Sequence, residues 1–277
     1  MSVMPYKNKL MLDVGGTFIK CSDGRSIAID SNGSEEEISE TFKVVFNNFN
    51  GISSVAIAIP GPFDYENGIF LMRHKFASVY GKKFRELANA PDYIKFKFIH
   101  DVNCMLLGEL NIRKESGYPN TALVAIGTGL GFSFSLNNII QKNDTGSPAI
   151  SIYNIPYKDG ILEDYISKRG IINLYSHLSK KKTSNSITVL EIANQAHNGN
   201  CNAKQAFMQA GHILGESLRP IIIKNNIESI LFGGQIAKSF DLMKEAVCEE
   251  LDGIGCIKEI STISDFDNTT FNGLSIL

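Results

Sequence analysis

Three short glycine-rich runs follow apolar segments of the chain, and each has the composition of a phosphate-binding turn. They are Asp13-Val14-Gly15-Gly16-Thr17, Gly127-Thr128-Gly129 and Gly233-Gly234-Gln235. Glycine permits positive φ and lets backbone N–H groups approach a ligand, so such a turn can form a concavity for an anion. The threonines add hydroxyl donors, and Asp13 adds a carboxylate able to hold Mg²⁺ through water. A plain tight turn is the better explanation of any single run, but the three together favour phosphate binding.

Asp101 is the carboxylate whose position best suits proton transfer. It follows the predicted strand Lys95–His100 and precedes a helical pattern, which is the place where α/β sheets usually bind ligands. A carboxylate there can accept a proton from a hydroxyl that attacks a phosphoryl group. Asp is also a favoured helix N-cap, and one residue can serve both purposes.

Glu163 is a second candidate, in the run Gly160-Ile161-Leu162-Glu163-Asp164-Tyr165. Its two acceptor oxygens suit bidentate binding of neighbouring sugar hydroxyls. An exposed glutamate in the first turn of a helix is an equally good explanation, and both stay open. The chain lacks a GxxxxGK[ST] motif, a GxGxxG run opening a helix, and HRD and DFG loops. These absences argue against a P-loop, a dinucleotide-binding fold and a protein kinase.

Two distant segments share one plan, in which a strand, a glycine–threonine turn, a strand, a hairpin and a strand follow one another. The first has predicted strands Lys9–Val14, Thr17–Ser22 and Arg25–Asp30, and the second has Thr121–Ile126, Gly131–Leu136 and Ile139–Gln141. Asp23–Gly24 and Asn137–Asn138 supply the hairpin turns. We interpret the repeat as a duplicated domain, with a chance match as the alternative.

Helical and strand patterns alternate through the rest of the chain. Ser34 and Glu37 form a capping box that opens a helix over residues 34–49. The other predicted elements are strands Ser53–Ile59, Lys95–His100 and Ser229–Phe232, and helices beginning at Asp101, over Asn202–Lys224 with a kink at Pro220, and over Ala237–Leu251. This alternation predicts an α/β fold with mixed sheets.

Composition narrows the classes of partner. The 277 residues carry 27 Lys and Arg against 29 Asp and Glu, a formal net charge of -2, which gives no general attraction to nucleic acid or to an anionic membrane. No apolar run is long enough to predict a membrane span. The five cysteines form no CxxC pair and have no histidine at zinc-ligand spacing, so no zinc site is predicted. We expect a soluble, cytoplasmic protein.

Six blocks of the sequence resemble, in order, motifs of the ROK family of bacterial sugar kinases and related repressors, within the actin-like ATPase superfamily. They are DVGGTFIK (Asp13–Lys20), AIPGPFDYENG (Ala58–Gly68), HDVNCMLLGE (His100–Glu109), AIGTGLG (Ala125–Gly131), GILEDYIS (Gly160–Ser167) and LFGGQIA (Leu231–Ala237). The resemblance implies a two-lobed, ribonuclease H-like α/β fold with duplicated mixed β-sheets flanked by helices. We expect a small N-terminal lobe of residues 1–115 plus 262–277 and a large C-terminal lobe of residues 116–261.

The resemblance also implies roles for individual residues. Asp101 falls on the family's catalytic base, and Glu163 falls on a sugar-binding glutamate. The implied ATP- and phosphate-binding positions are Asp13, Gly15, Gly16, Thr17, Thr128, Gly129, Gly233, Gly234 and Gln235. Lys20 matches less well, because the family's basic residue varies in position here. ATP and Mg²⁺ are the implied cofactors, with Asp13 holding Mg²⁺ through water.

The chain departs from the family pattern around the sugar. The family's Asn-Asp pair is His100-Asp101 here, so an imidazole replaces a sugar-contacting amide. The family's Glu-x-Gly-His motif and its zinc loop have no counterpart, since Ser151–Asn154 is the nearest register and Ile161 replaces the cysteine before the glutamate.

We therefore expect the sugar contacts to come from His100, Asp101, Asn154 and Glu163. Tyr153 and Tyr157 either present an aromatic face to the sugar or are plain core residues. Missing contacts should weaken or redirect sugar recognition, because a buried hydrogen bond to a hydroxyl contributes about 0.5–1.5 kcal/mol.

The expected function is ATP-dependent phosphorylation of a hydroxyl of a hexose or amino sugar, as in a glucokinase. The alternative is a catalytically weakened sugar- or nucleotide-binding regulatory protein. The expected partner is a small-molecule sugar, without nucleic acid or membrane, and the resemblance implies a homodimer. Sequence leaves open which sugar and which hydroxyl react.

Overall fold

The computed structural model describes residues 8–47, 51–114, 117–180 and 187–277. The chain divides into two compact units. Unit 1 comprises Met1–Ile112, Lys142–Ala149 and Asp267–Leu277, and unit 2 comprises Arg113–Gln141 and Ile150–Phe266.

The segment Lys142–Ala149 belongs to unit 1, whereas the predicted boundaries place it in the larger lobe. Two backbone carbonyls of this segment explain its position. The carbonyl of Thr145 accepts a hydrogen bond from the Tyr65 N–H at 3.3 Å, and the carbonyl of Gly146 accepts one from the Asn103 side chain at 3.2 Å. No local sequence pattern marks these long-range bonds.

The strands, in chain order, are β1 (Lys9–Val14), β2 (Phe18–Cys21), β3 (Ser26–Ala28), β4 (Ser54–Ile59), β5 (Phe63–Asp64), β6 (Ile69–Phe70), β7 (Lys95–His100), β8 (Thr121–Ile126), β9 (Leu130–Leu136), β10 (Ile139–Ile140), β11 (Pro156–Tyr157), β12 (Gly160–Ile161), β13 (Ser229–Gly233) and β14 (Glu259–Thr262).

The α-helices are α1 (Glu35–Asn47), α2 (Phe84–Leu87), α3 (Asp101–Ile112), α4 (Glu163–Ile166), α5 (Lys168–Ser179), α6 (Val189–His197), α7 (Cys201–Asn225), α8 (Asp241–Leu251) and α9 (Thr269–Ser275). Short 3₁₀ turns lie at Ala77–Val79 and Ile236–Ser239.

Each unit contains a five-stranded mixed sheet of the same topology. The order is β3-β2-β1-β4-β7 in unit 1 and β10-β9-β8-β13-β14 in unit 2. In both, the strands of the hairpins pair antiparallel and the other neighbours pair parallel. This confirms the predicted duplicated mixed sheets, because the plan read from the two sequence segments recurs strand for strand.

Local signals place most element ends within one or two residues. Ser34 and Glu37 form the predicted capping box, with the Glu37 N–H donating to Ser34 Oγ at 3.2 Å and the Ser34 N–H donating to Glu37 Oε2 at 2.7 Å. The last predicted residues of this helix, 48 and 49, lie outside the described residues. The predicted helix Ala237–Leu251 instead begins as the 3₁₀ turn, with α8 following Phe240, whose ring stacks on Phe232 with centroids 4.0 Å apart.

A cluster of phenylalanine rings forms the centre of the core of unit 1. Phe42, Phe63, Phe70, Phe76 and Phe84 are fully buried, and the rings of Phe42 and Phe84 lie 4.6 Å apart. Burying one such side chain contributes about 1.5–3 kcal/mol. The cluster therefore gives the loops around it a rigid support.

Candidate active site

Three parallel strands of unit 1 end at the same edge of the sheet. Asp13 on β1 pairs in register with Ala58 on β4, and Ala58 pairs with Ile99 on β7. Asp13 is thus level with Ile99, and Asp101 follows two residues later. The glycine turn after β1 and Asp101 after β7 leave the sheet at one edge, where open α/β sheets bind ligands.

The turn after β1 is closed by backbone hydrogen bonds and has little room for side chains. The Gly15 N–H donates to the Phe18 carbonyl at 2.9 Å, and the Gly16 carbonyl accepts from the Ser31 N–H at 3.1 Å. A Cβ at Gly16 would lie 3.2 Å from Ser31 Oγ. Thr17 is exposed, so its hydroxyl is available to a ligand.

Asp13 is held in an environment that disfavours its negative charge. Burial, and then the charge of Asp101, raise the pKa of Asp13 to about 6, while Lys20 acts in the opposite direction. Lys20 is the cross-strand partner of Asp13 on β2. Two carboxylates that repel each other make this place suitable for a cation.

Asp101 is paired with the residue before it. Its Oδ1 lies 2.8 Å from His100 Nδ1 and accepts a hydrogen bond from the Val102 N–H at 2.7 Å. The side chain of Asp101 is 43% exposed and that of His100 is 17% exposed. Desolvation favours the neutral acid, but the charge and hydrogen bond of His100, the Val102 N–H and the charge of Lys75 together outweigh it and lower the pKa of Asp101. The carboxylate is therefore ionised and open to solvent at neutral pH.

Tyr65 and Gly61 pack around the imidazole of His100. The Tyr65 hydroxyl donates to the Ile59 carbonyl at 3.0 Å, and its ring centroid lies 5.9 Å from that of His100. A Cβ at Gly61 would come within 3.2 Å of both side chains. Both residues lie in the AIPGPFDYENG block, but no local pattern marks their contact with His100.

Lys75 is a second residue that sequence reasoning missed. Its Cδ and Cε lie 3.7 and 3.8 Å from where a Cβ of Gly16 would be, and its charge helps to lower the pKa of Asp101. Lys75 stands in an irregular segment after β6, and no motif or periodicity marks it.

Two glycine turns of unit 2 lie against each other. Gly233, the last residue of β13, pairs with Ala125 on β8, and Gly234 has φ +82°. A Cβ at Gly234 would lie 2.5 Å from the Ile126 carbonyl oxygen. The turn that follows Ile126 contains Thr128, which is exposed, as is Gln235. The second and third predicted phosphate-binding runs are thus neighbours.

Glu163 contacts the first of these two turns. Its Oε2 accepts a hydrogen bond from the Leu130 N–H at 2.9 Å, and a Cβ at Gly129 would lie 2.7 Å from the same oxygen. The Glu163 N–H donates to the Tyr153 carbonyl at 3.0 Å. Glu163 is the first residue of α4 and half-buried, so it joins the glycine turn to the loop that contains Asn154.

The residues before Glu163 divide into exposed and packed ones. Tyr153 and Asn154 are exposed. Tyr157 packs edge-on against Tyr165, with ring centroids 5.0 Å apart, and burial together with the charge and hydrogen bond of Glu216 raises the pKa of Tyr157. Of the two open interpretations, packing within unit 2 describes Tyr157 and ligand contact remains available to Tyr153.

Within the described ranges, no group of three or more His, Cys, Asp or Glu side chains is placed to hold a metal ion. The helices in these ranges also include none long and apolar enough to cross a membrane.

Comparison with known proteins agrees with this arrangement of strands and turns. The model of the ROK family matches residues 31–150 and 155–256. The chain belongs to the ROK family. No curated protein matches the sequence significantly.

Solved structures of ROK proteins share the fold. A ROK glucokinase from Streptomyces griseus, in complex with glucose and AMPPNP, has a TM-score of 0.77 at 16% identity, covering 97% of this chain and 98% of the other. A ROK protein from Streptococcus pneumoniae, in complex with sucrose, has a TM-score of 0.74 at 20% identity, covering 96% of each chain.

A ROK transcriptional regulator, a homologue of the E. coli MLC protein, has a TM-score of 0.75 at 18% identity, covering 97% of this chain and 78% of the other. At these identities the likeness shows the fold alone. The ROK fold therefore occurs here.

Proposed function

We propose that this ROK protein is an ATP-dependent sugar kinase in which Asp101 removes the proton from the reacting hydroxyl of a hexose or amino sugar. The proposal rests on the Asp101 carboxylate, which is ionised, exposed and close to the first glycine turn. His100 at 2.8 Å favours its ionised form, it is 43% exposed, and it stands at the same sheet edge as the Asp13–Thr17 turn. A general base must be deprotonated and reachable, and Asp101 is both.

The residues at this edge fit ATP and Mg²⁺. No side chain covers the backbone at Gly15 and Gly16. A Cβ at Gly15 would lie 3.1 Å from the Phe18 carbonyl oxygen, and one at Gly16 would lie 3.2 Å from Ser31 Oγ. Asp13 would hold Mg²⁺ through water, since its charge is destabilised by burial and by Asp101. ATP supplies the transferred phosphoryl group, and Mg²⁺ neutralises part of its charge.

The chain's own residues then have separate tasks. Thr17 and the backbone N–H groups of the turn that are not bonded within it bind phosphate oxygens. Asp101, whose side chain is 43% exposed, accepts the proton of the sugar hydroxyl, while His100 and the Val102 N–H hold the carboxylate in place. A fixed donor set of this kind stabilises developing charge without reorganisation.

For unit 2 we propose nucleotide and sugar contacts. Thr128 and Gly129 bind phosphate, and Gly233, Gly234 and Gln235 bind near the adenosine. Glu163 and Asn154 contact sugar hydroxyls, with Glu163 also bound to Leu130. The absence of a side chain at Gly129 and Gly234 supports the proposed role of these turns. A Cβ at either position would lie 2.7 Å or less from another atom.

The test is ADP release across a panel of hexoses and amino sugars, for the wild type and Asp101→Asn. We expect at least one sugar to stimulate turnover, and the substitution to lower it by about 10²–10⁴-fold. Asparagine keeps an oxygen for the Val102 N–H, so thermal unfolding should change little. ATP binding without sugar-stimulated turnover would overturn the kinase and favour a sugar- or nucleotide-binding regulatory protein instead.

A further inference from the structure

The side chain of Lys75 lies on the backbone of the first glycine turn. Its Cδ and Cε are 3.7 and 3.8 Å from where a Cβ of Gly16 would be, and the residue is half-buried. The aliphatic stem therefore packs at van der Waals distance over Gly16, and the ammonium group lies near the turn. Long cationic side chains commonly bury the stem in this way and keep the charge accessible.

Two backbone hydrogen bonds connect the Lys75 segment to this turn through Ser31. The Phe76 N–H donates to the Ser31 carbonyl at 2.6 Å, and the Ser31 N–H donates to the Gly16 carbonyl at 3.1 Å. Phe76 is fully buried, and its ring lies 5.4 Å from that of Phe70. The core of unit 1 thus holds the backbone next to Lys75, which sets it apart from a lysine on a surface loop.

The charge of Lys75 acts on the site and is not used by another side chain. It favours the ionised form of Asp101, yet no hydrogen bond or ion pair joins its ammonium to any residue in the described ranges. Lys20, the other cation at this edge, is the cross-strand partner of Asp13. Lys75 is therefore a cation available to an anionic ligand on the Asp101 side of the turn, with Lys20 on the Asp13 side.

We propose that the ammonium of Lys75 binds the phosphoryl group during its transfer, an assignment that rests on the proposed kinase function. The sugar oxygen forms a bond to the γ-phosphorus, and its proton passes to Asp101. The bond from that phosphorus to the β,γ-bridging oxygen breaks, and its electron pair leaves with ADP. Lys75 keeps its three protons throughout and donates hydrogen bonds to the non-bridging oxygens of the transferred group.

The experiment compares Lys75→Met, which keeps the aliphatic length and removes the charge, with Lys83→Met. Lys83 is exposed in the same unit, two residues after Gly81, and is the matched control. Affinities for AMPPNP and for ADP are measured by calorimetry with Mg²⁺, together with sugar-stimulated ADP release. AMPPNP has the γ-phosphate that ADP lacks.

For Lys75→Met we expect AMPPNP affinity to fall about tenfold, ADP affinity to stay within about twofold, and kcat to fall by about 10²-fold. Lys83→Met should match the wild type in AMPPNP affinity, ADP affinity and kcat. Equal effects on both nucleotides, or no effect on AMPPNP, would overturn the assignment of Lys75.

The two proposals fail in different ways. If the wild type shows no turnover with any sugar but Lys75→Met still weakens AMPPNP selectively, the kinase proposal fails and Lys75 remains a γ-phosphate ligand. If the wild type turns over and Lys75→Met behaves as the wild type, the kinase proposal stands and the role of Lys75 is wrong.

Discussion

His100 Nδ1 lies 2.8 Å from Asp101 Oδ1, so the last residue of β7 and the first residue of α3 form a pair at the edge of the sheet. The resemblance to ROK sugar kinases implies an asparagine in place of His100. The imidazole differs from an amide in one decisive respect, because it can carry a positive charge. The pair therefore affects both the orientation and the charge of the proposed base.

His100→Asn should move the acid limb of the pH profile of kcat/KM to higher pH. His100 lowers the pKa of Asp101 against the opposing effect of burial. Removing the imidazole leaves the Val102 N–H and Lys75 to oppose burial, so the pKa of Asp101 rises and the base is protonated at pH values where the wild type is active. The measurement is the pH dependence of sugar phosphorylation, with the exposed His74, as His74→Asn, for control. An unshifted limb would show that the imidazole does not act on the base.

Asp13→Asn should stabilise the metal-free protein at pH 7. The pKa of Asp13 is about 6 in the folded protein against its ordinary value of 3.8, so the folded state binds more protons between these values. The contribution of Asp13 to the free energy of unfolding is thus highest at low pH. It falls as pH rises from about 4 to about 6 and stays low above that. Asp13→Asn should therefore raise the free energy of unfolding by up to about 3 kcal/mol at pH 7 and by almost nothing at pH 4.

The check on Asp13→Asn is urea unfolding of both proteins in EDTA at several pH values. The difference between wild type and variant isolates this residue, since the other carboxylates titrate in both. An equal difference at pH 4 and pH 7 would contradict the burial of a destabilised charge. The same substitution should weaken binding of Mg²⁺ with nucleotide, so the gain in stability accompanies a loss of function.

Gly234→Ala should be far more damaging than Gly253→Ala. Both glycines have left-handed backbone, with φ +82° and +75°, but a Cβ at Gly234 would lie 2.5 Å from the Ile126 carbonyl oxygen whereas nothing lies within 4 Å at Gly253. The shared conformational strain costs about 1–2 kcal/mol. The clash at Gly234 adds about 1–3 kcal/mol, so urea midpoints should differ clearly. Equal midpoints would show that the turn has room for a side chain.

Glu163→Gln and Glu163→Ala should separate two roles of one side chain. Glutamine keeps an oxygen for the Leu130 N–H, so ADP affinity should hold while the sugar KM rises about tenfold. Alanine leaves that N–H without its acceptor, and ADP affinity should also fall by about two- to tenfold. Glu245→Gln, at an exposed position of α8, is the control. Unchanged sugar KM in both variants would exclude Glu163 from the sugar site.

Local composition was enough to predict much of the fold and the positions of the glycine turns. The alternation of apolar residues and the hairpin pairs mark the strands that recur in both sheets. The capping box marks the start of α1, and Asp101 stands at the predicted junction of β7 and α3. These features depend on residues close together in the chain, for which backbone conformation and side-chain preference act directly.

The tertiary structure alone decided which distant groups meet. Glu163 accepts a hydrogen bond from the Leu130 N–H, 33 positions away in the chain. The Thr145 carbonyl accepts one from the Tyr65 N–H. Lys75 packs on Gly16 because the neighbouring Phe76 is buried in the core. Each contact depends on how strands pair and rings pack over long separations. No spacing rule encodes such contacts, since the free energy that selects them comes from burial shared among many residues.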